Sequence, residues 1–190
     1  MSPQPAAPNP FVKAIALVLA VARRARFRVA LIGGFALPFH GVQRATGDVD
    51  FLVEATGADA LHAALLHAGA HCLHRSADGA NYAPETSRLA PVDCIYARRD
   101  RALDMLRRAR RVPLHGARVR VPVVDAEALI GLKLQALVNA PARRAQDAAD
   151  IRALVAAKGA TLNRALLRDY YALFGREREL DRLFREMKKR

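Results

Sequence analysis

The chain changes hydrophobic rhythm partway along. Up to about residue 123, short apolar stretches alternate with helix-like segments; beyond it only the helical period remains. Phe11 to Ala22 is the longest apolar run, and the spacing predicts a helix over about 11–25. Arg28–Ile32 reads as a buried strand broken by Gly33-Gly34, and Phe35 to His40 as a short helix that tolerates Pro38 near its start. Gly47–Val53 alternates its faces as a strand does. A helix over 58–68 stops at Gly69, and His71–Arg75 and Val92–Tyr96 are further strands on either side of an Asp78-Gly79 turn. A helix over 100–110 precedes a hairpin, Val112–Leu114 with Val119–Val123, turning at His115-Gly116. Helices over about 125–139, 145–158, 162–173 and 176–188 finish the chain.

Strands first and helices last predict an α+β fold, a mixed β-sheet core flanked by helices with a helical C-terminal part. Residues 1–10, rich in Pro, read as a disordered leader, 11–124 as the core and 125–190 as the helical part. The apolar run 11–22 is too short for a membrane span, and its positive charges follow it, the reverse of a signal peptide. With only Cys72 and Cys94 there is no disulfide framework, so a cytoplasmic setting is expected. Half of the 190 residues are apolar (52%), enough to build a core.

Charge adds a partner to this picture. Against 18 Asp and Glu stand 31 Lys and Arg, a net +13 that suits a polyanion. Arg supplies nearly all of it, a bias that a genome rich in G and C also produces. Residues 98–120 alone hold nine Arg and two Asp. This stretch reads either as a solvated face or as a surface tracking the phosphates of an RNA. Lys188-Lys189-Arg190 reads as a frayed tail. His62, His67, His71 and His74 show no zinc-ligand spacing with Cys72.

The candidate chemistry rests on carboxylates. Asp48 and Asp50, two apart on a strand, would share a face about 7 Å apart, where a divalent cation would relieve their repulsion. A solvated strand edge is the plainer account of two such residues alone. Asp93 interrupts the apolar Val92–Tyr96 strand, where burial is costly without a partner or a metal. On a neighbouring strand it would join the other two in a phosphoryl-transfer site; alone, it could cap a turn. Gly33-Gly34 ends a strand in a way that lets backbone approach a phosphate, or makes an ordinary tight turn. Lys133 has Leu129, Ile130, Ala136 and Leu137 around it at helical spacing, so it needs an anion or must snorkel to solvent. Asp147 and Asp150 either favour their helix N-terminus or hold Lys133 or a nearby Arg.

Gly33-Gly34, Arg44-x-Thr46-x-Asp48-x-Asp50 and the later Asp93 resemble the nucleotidyltransferase superfamily of the DNA polymerase β-type fold. Leu132-Lys133-Leu134-Gln135-Ala136 and Arg144-x-Gln146-Asp147-x-x-Asp150-Ile151 resemble its bacterial abortive-infection toxin branch, and together the likeness spans about residues 28–158. The resemblance implies an enzyme that moves a nucleoside monophosphate from an NTP to an acceptor hydroxyl. Asp48, Asp50 and Asp93 would bind Mg²⁺ or Mn²⁺, and with Lys133 they would be catalytic. Gly33, Gly34, Arg44, Thr46, Lys133 and Asp147 would bind nucleotide, the C-terminal helices completing the cleft. The acceptor would be tRNA or another RNA, a protein side chain, or a small molecule such as an aminoglycoside, with RNA or protein favoured by the arginine surface. A cognate antitoxin would be a further partner, and no membrane is expected. Many relatives carry Ser where Gly34 stands. That departure opens an alternative: a decayed nucleotidyltransferase fold that only binds nucleic acid or a partner protein.

Overall fold

The structure, a computed structural model, describes residues 9–86, 88–114, 117, 119–139 and 144–187. It divides into two compact units. One runs up to Phe35 and from Ala45 to Val123; the other holds Ala36–Arg44 and the chain from Val124 onward. Among the described residues no helix is long and apolar enough to cross a membrane.

The first unit is built on a mixed sheet of seven strands, β1 (Val29–Leu31), β2 (Val49–Glu54), β3 (Ala70–Arg75), β4 (Gly79–Pro84), β5 (Val92–Ala97), β6 (Arg110–Pro113) and β7 (Arg120–Val123). They lie in the order β3-β4-β5-β2-β1-β7-β6. β2 runs parallel to β5, and β1 parallel to β7; the other neighbours are antiparallel. This is the α+β architecture expected from the order of strands and helices.

Helices α1 (Pro10–Ala25), α3 (Ala58–His67) and α4 (Asp100–Arg108) pack on this sheet, and α2 is the single turn Gly33–Ala36. Helix α1 starts where Asn9 Oδ1 accepts from Phe11 N at 2.9 Å, with Pro10 in the first turn where its missing N–H costs nothing. The leader therefore gives way to helix at Pro10; residues 1–8 lie outside the described residues. Val49, Phe51 and Val53 on β2 and Val92, Cys94 and Tyr96 on β5 are buried. Strand alternation sends them to the face on which α3 lies, fixed by His62 Nδ1 of α3 meeting Tyr82 Oη of β4 at 3.0 Å.

Four expectations need correction. Strand β4 was not visible in the pattern: Gly79-Ala-Asn-Tyr-Ala-Pro84 has weak β-propensity and is held by pairing on both sides. Asp48 falls in a bend just before β2 rather than within it. Helix α4 ends at Arg108, because Arg110 already pairs with Val123 in the hairpin. The short helix after Gly34 splits into α2 and a 3₁₀ turn, Leu37–His40. The hairpin turn at His115-Gly116 and the tail at 188–190 lie outside the described residues.

The second unit is helical: α5 (Ala126–Asn139), α6 (Arg144–Lys158), α7 (Arg164–Ala172) and α8 (Glu177–Met187), with the 3₁₀ turn 37–40. Helix α5 packs against α6 and α7, burying Leu129, Ile130, Leu134 and Leu137 with Leu154, Leu167 and Tyr170.

Candidate functional site

Parallel pairing of β2 with β5 sets Asp50 opposite Asp93. Partners in register point to the same face, and here it is the face away from α3. The bend before β2 adds Asp48. One carboxylate oxygen from each of Asp48, Asp50 and Asp93 lies within 4.8 Å of the others, and all three residues are half-buried. An oxygen-only donor set of this charge fits a hard divalent cation such as Mg²⁺ or Mn²⁺. Thr46 Oγ1 donates to Asp48 Oδ1 at 2.6 Å, which fixes the rotamer of that carboxylate.

Gly33 stands directly behind the acidic cluster. Its φ of +62° lies in the left-handed region, and a Cβ there would overlap the Asp50 carboxylate. The N–H of Ile32 donates to the Asp50 carbonyl at 3.0 Å, tying the end of β1 to the same strand. Gly34 is buried beside it. Cys94 lies between Asp93 and the rest of β5. Burial pushes its thiol pKa well above the ordinary value, and the charges of Asp93 and Asp50 push it further, so it stays protonated and is no nucleophile.

A second charged cluster sits in the helical unit. Lys133 is only 6% exposed, and Asp147 and Asp150 are as deeply buried. Lys133 Nζ donates to Asp147 Oδ1 at 3.3 Å and lies 2.6 Å from Asp150 Oδ2. The Asp150 contact is a Coulombic one without hydrogen-bond alignment, since that oxygen has no hydrogen-bond partner. Arg44 Nε approaches the same oxygen at 3.6 Å. The anion that a lysine in an apolar stripe requires is thus a pair of aspartates one helical turn apart on α6. Asp150 belongs in this cluster as much as Asp147, and its signal was the three-residue spacing on one helix face.

Asn81 is the residue near the carboxylates that the pattern did not single out: it lies on β4, in register with Asp93. In the basic stretch Arg99, Arg101, Arg107, Arg110, Arg111 and Arg120 are exposed. Arg107 and Arg108 both pair with Asp104.

The family described as the nucleotidyl transferase AbiEii toxin of type IV toxin–antitoxin systems matches residues 83–189, more than half of the chain. The antibiotic-resistance factor ANT(2'')-Ia in solution has a similar structure, with a TM-score of 0.62 at 17% identity, covering 86% of this chain and 92% of that one. A nucleotidyltransferase-like protein from Paracoccidioides brasiliensis gives 0.54 at 14% identity, covering 96% and 95%. The lincomycin-bound lincosamide adenylyltransferase LnuA gives 0.52 at 15%, covering 77% and 97%. These likenesses establish the fold. No curated protein matches the chain.

Proposed function

The chain belongs to the AbiEii nucleotidyl transferase toxin family, and from that premise we propose that it moves a nucleoside monophosphate from an NTP to a hydroxyl of RNA, as the toxin of a toxin–antitoxin pair. The observation that carries this proposal is the convergence of Asp48, Asp50 and Asp93 in front of Gly33. Mg²⁺ or Mn²⁺ held by the three carboxylates would neutralise charge on the phosphates and the departing pyrophosphate.

The chain's own residues do the rest. Backbone N–H groups of Gly33 and Gly34 bind the phosphates, and the absence of a serine hydroxyl at Gly34 leaves that task to the backbone. Thr46 keeps the Asp48 carboxylate oriented. Asp93 accepts the proton of the attacking hydroxyl. The hydroxyl oxygen bonds to the α-phosphorus, the bond from that phosphorus to the bridging oxygen breaks, and pyrophosphate leaves with the electron pair. Arg44, Lys133 and Asp147 belong to the same reading as nucleotide-binding residues. Their charges are already matched by one another and by Asp150, so a phosphate reaching either cation would have to displace a carboxylate.

RNA is favoured as acceptor by the exposed arginines of α4, β6 and β7, which offer a phosphate-tracking surface. Labelled NTPs with Mg²⁺ and total cellular RNA test the reaction. Label should enter RNA and be lost in Asp48→Ala. Label entering protein instead would replace the acceptor. Salt-dependent RNA binding indifferent to Asp48 and Asp50, with no transfer from any NTP, would favour a binding module. Expression of the wild-type chain should arrest growth, Asp48→Ala should not, and a cognate antitoxin should relieve the arrest.

A further inference from the structure

The strand registers extend the catalytic row beyond the carboxylates. Asp50 on β2 stands opposite Asp93 on β5, Asp93 opposite Asn81 on β4, and Asn81 opposite His74 on the edge strand β3. Register partners share a face, so four side chains on four adjacent strands form one row. His74 joins it only through a bulge. The register shifts between Cys72 and His74, so that Cys72 opposes Tyr82 and His74 opposes Asn81. Without the extra residue, His74 would share the face of Cys72, the one on which Tyr82 meets His62 of α3.

The row has a direction. Gly33 lies behind Asp50 at one end, and Asn81 and His74 lie past Asp93 at the other. In an in-line displacement the attacking and leaving oxygens stand on opposite sides of phosphorus. If the phosphates lie toward Gly33, the hydroxyl arrives from the side of β4 and β3. We propose that Asn81 and His74 form the acceptor subsite of this nucleotidyltransferase, holding the ribose that carries the attacking hydroxyl; this rests on the reaction assigned above.

The chemistry suits such a group. Asn81 lies one strand spacing from Asp93, about 5 Å. Its carboxamide both donates and accepts, as a second hydroxyl beside the nucleophile requires. His74 lies two spacings away, about 10 Å, exposed, where an imidazole stacks on a base or donates to a phosphate. The other β4 residues on this face, Gly79 and Ala83, carry almost no side chain, and Ile95 of β5, 45% exposed, adds an apolar floor. The result is a flat, open shelf next to the proton acceptor.

The test compares Asn81→Ala and His74→Ala with the wild-type chain, and uses His67→Ala, at the far end of α3, as a control. Transfer from labelled NTP to total cellular RNA is measured over a range of RNA concentrations, and binding of a non-hydrolysable NTP with Mg²⁺ is measured by calorimetry. Thermal melting monitors folding. Asn81→Ala should lose about tenfold and His74→Ala about fivefold in kcat/KM for RNA, largely through KM. Nucleotide affinity should stay within about twofold, and His67→Ala should behave as wild type. Wild-type transfer efficiency in both variants would overturn the subsite, as would nucleotide binding lost in parallel with transfer. A wild-type chain that labels no RNA overturns the assigned acceptor and the ribose subsite with it.

Discussion

Asp50 occupies the space where a side chain on Gly33 would begin. The Oδ2, Cγ and Cβ of Asp50 all crowd that position, and Gly33 has a φ of +62°. Two independent physical demands, a left-handed backbone and room for a carboxylate, therefore fall on one residue. The glycine is part of how Asp50 is aimed at Asp48 and Asp93.

Gly33→Ala should accordingly abolish transfer and destabilise the first unit. The left-handed backbone alone costs about 1–2 kcal/mol for a residue with a Cβ. The overlap with Asp50 adds to that. Asp50→Gly removes the overlap and leaves the backbone strain. A double-mutant cycle of Gly33→Ala with Asp50→Gly, read by denaturant melts, should show a coupling of at least about 1 kcal/mol. Additive effects would mean that the two residues do not compete for space.

Thr46→Val keeps the shape of the side chain and removes its O–H. Asp48 Oδ1 then loses the 2.6 Å hydrogen bond that orients it. Losing such a supporting contact typically costs about 10–100-fold in metal affinity or activity. The Mg²⁺ concentration for half-maximal transfer should rise by at least about tenfold, and Thr46→Ser should recover most of the loss. An unchanged Mg²⁺ dependence in Thr46→Val would show that the hydroxyl has no part in orienting Asp48.

Lys133→Met preserves volume and the apolar stripe but strands two buried carboxylates, Asp147 and Asp150, with Arg44 as the remaining cation. Breaking a buried pair from one side costs about 3–5 kcal/mol, so the variant should melt markedly lower. Adding Asp147→Asn restores a one-to-one balance of Arg44 with Asp150 and should recover part of the stability. Adding Arg44→Met should lower it further. A Lys133→Met variant as stable as wild type would remove Lys133 from the role of charge partner.

The sequence carried much of this arrangement, and its silences have physical causes. Asp50 on β2 and Asp93 on β5 stand out as carboxylates interrupting strands that are otherwise mostly apolar and buried, and the buried residues around Lys133 follow helical spacing. Strand β4 escaped because most of its residues are weak strand formers; its backbone is held by pairing with β3 and β5, and Tyr82 is buried on the face where it meets His62 of α3, both tertiary effects. With β4 hidden, Asn81 could not be placed beside Asp93. That Asp93 joins Asp50 depends on parallel pairing of strands distant in sequence, which alternation alone does not specify. Lys133 signalled its need for an anion, and Asp147 and Asp150 were candidates to meet it; that they do so, rather than only favouring their helix N-terminus, follows from how α5 and α6 pack.

His40 makes stability of the helical unit depend on pH. Its ring is half-buried, and Nε2 lies 2.9 Å from the carbonyl oxygen of Val124, which can only accept, so Nε2 carries the proton. Burial lowers its pKa below the ordinary 6.5, and nearby Lys158 lowers it further; the Val124 hydrogen bond, Asp125 and Glu127 oppose the shift in part. A folded pKa below the unfolded one means that the unfolded chain binds the proton more readily, so stability rises with pH through that window. The contribution is complete above about 6.5 and disappears as pH falls through the folded value. His40→Gln keeps an N–H for the Val124 carbonyl but does not titrate. Melting temperatures measured between about pH 7.5 and pH 5.5 should fall more steeply for wild type than for His40→Gln. Parallel curves for the two proteins would show that His40 does not couple protonation to folding.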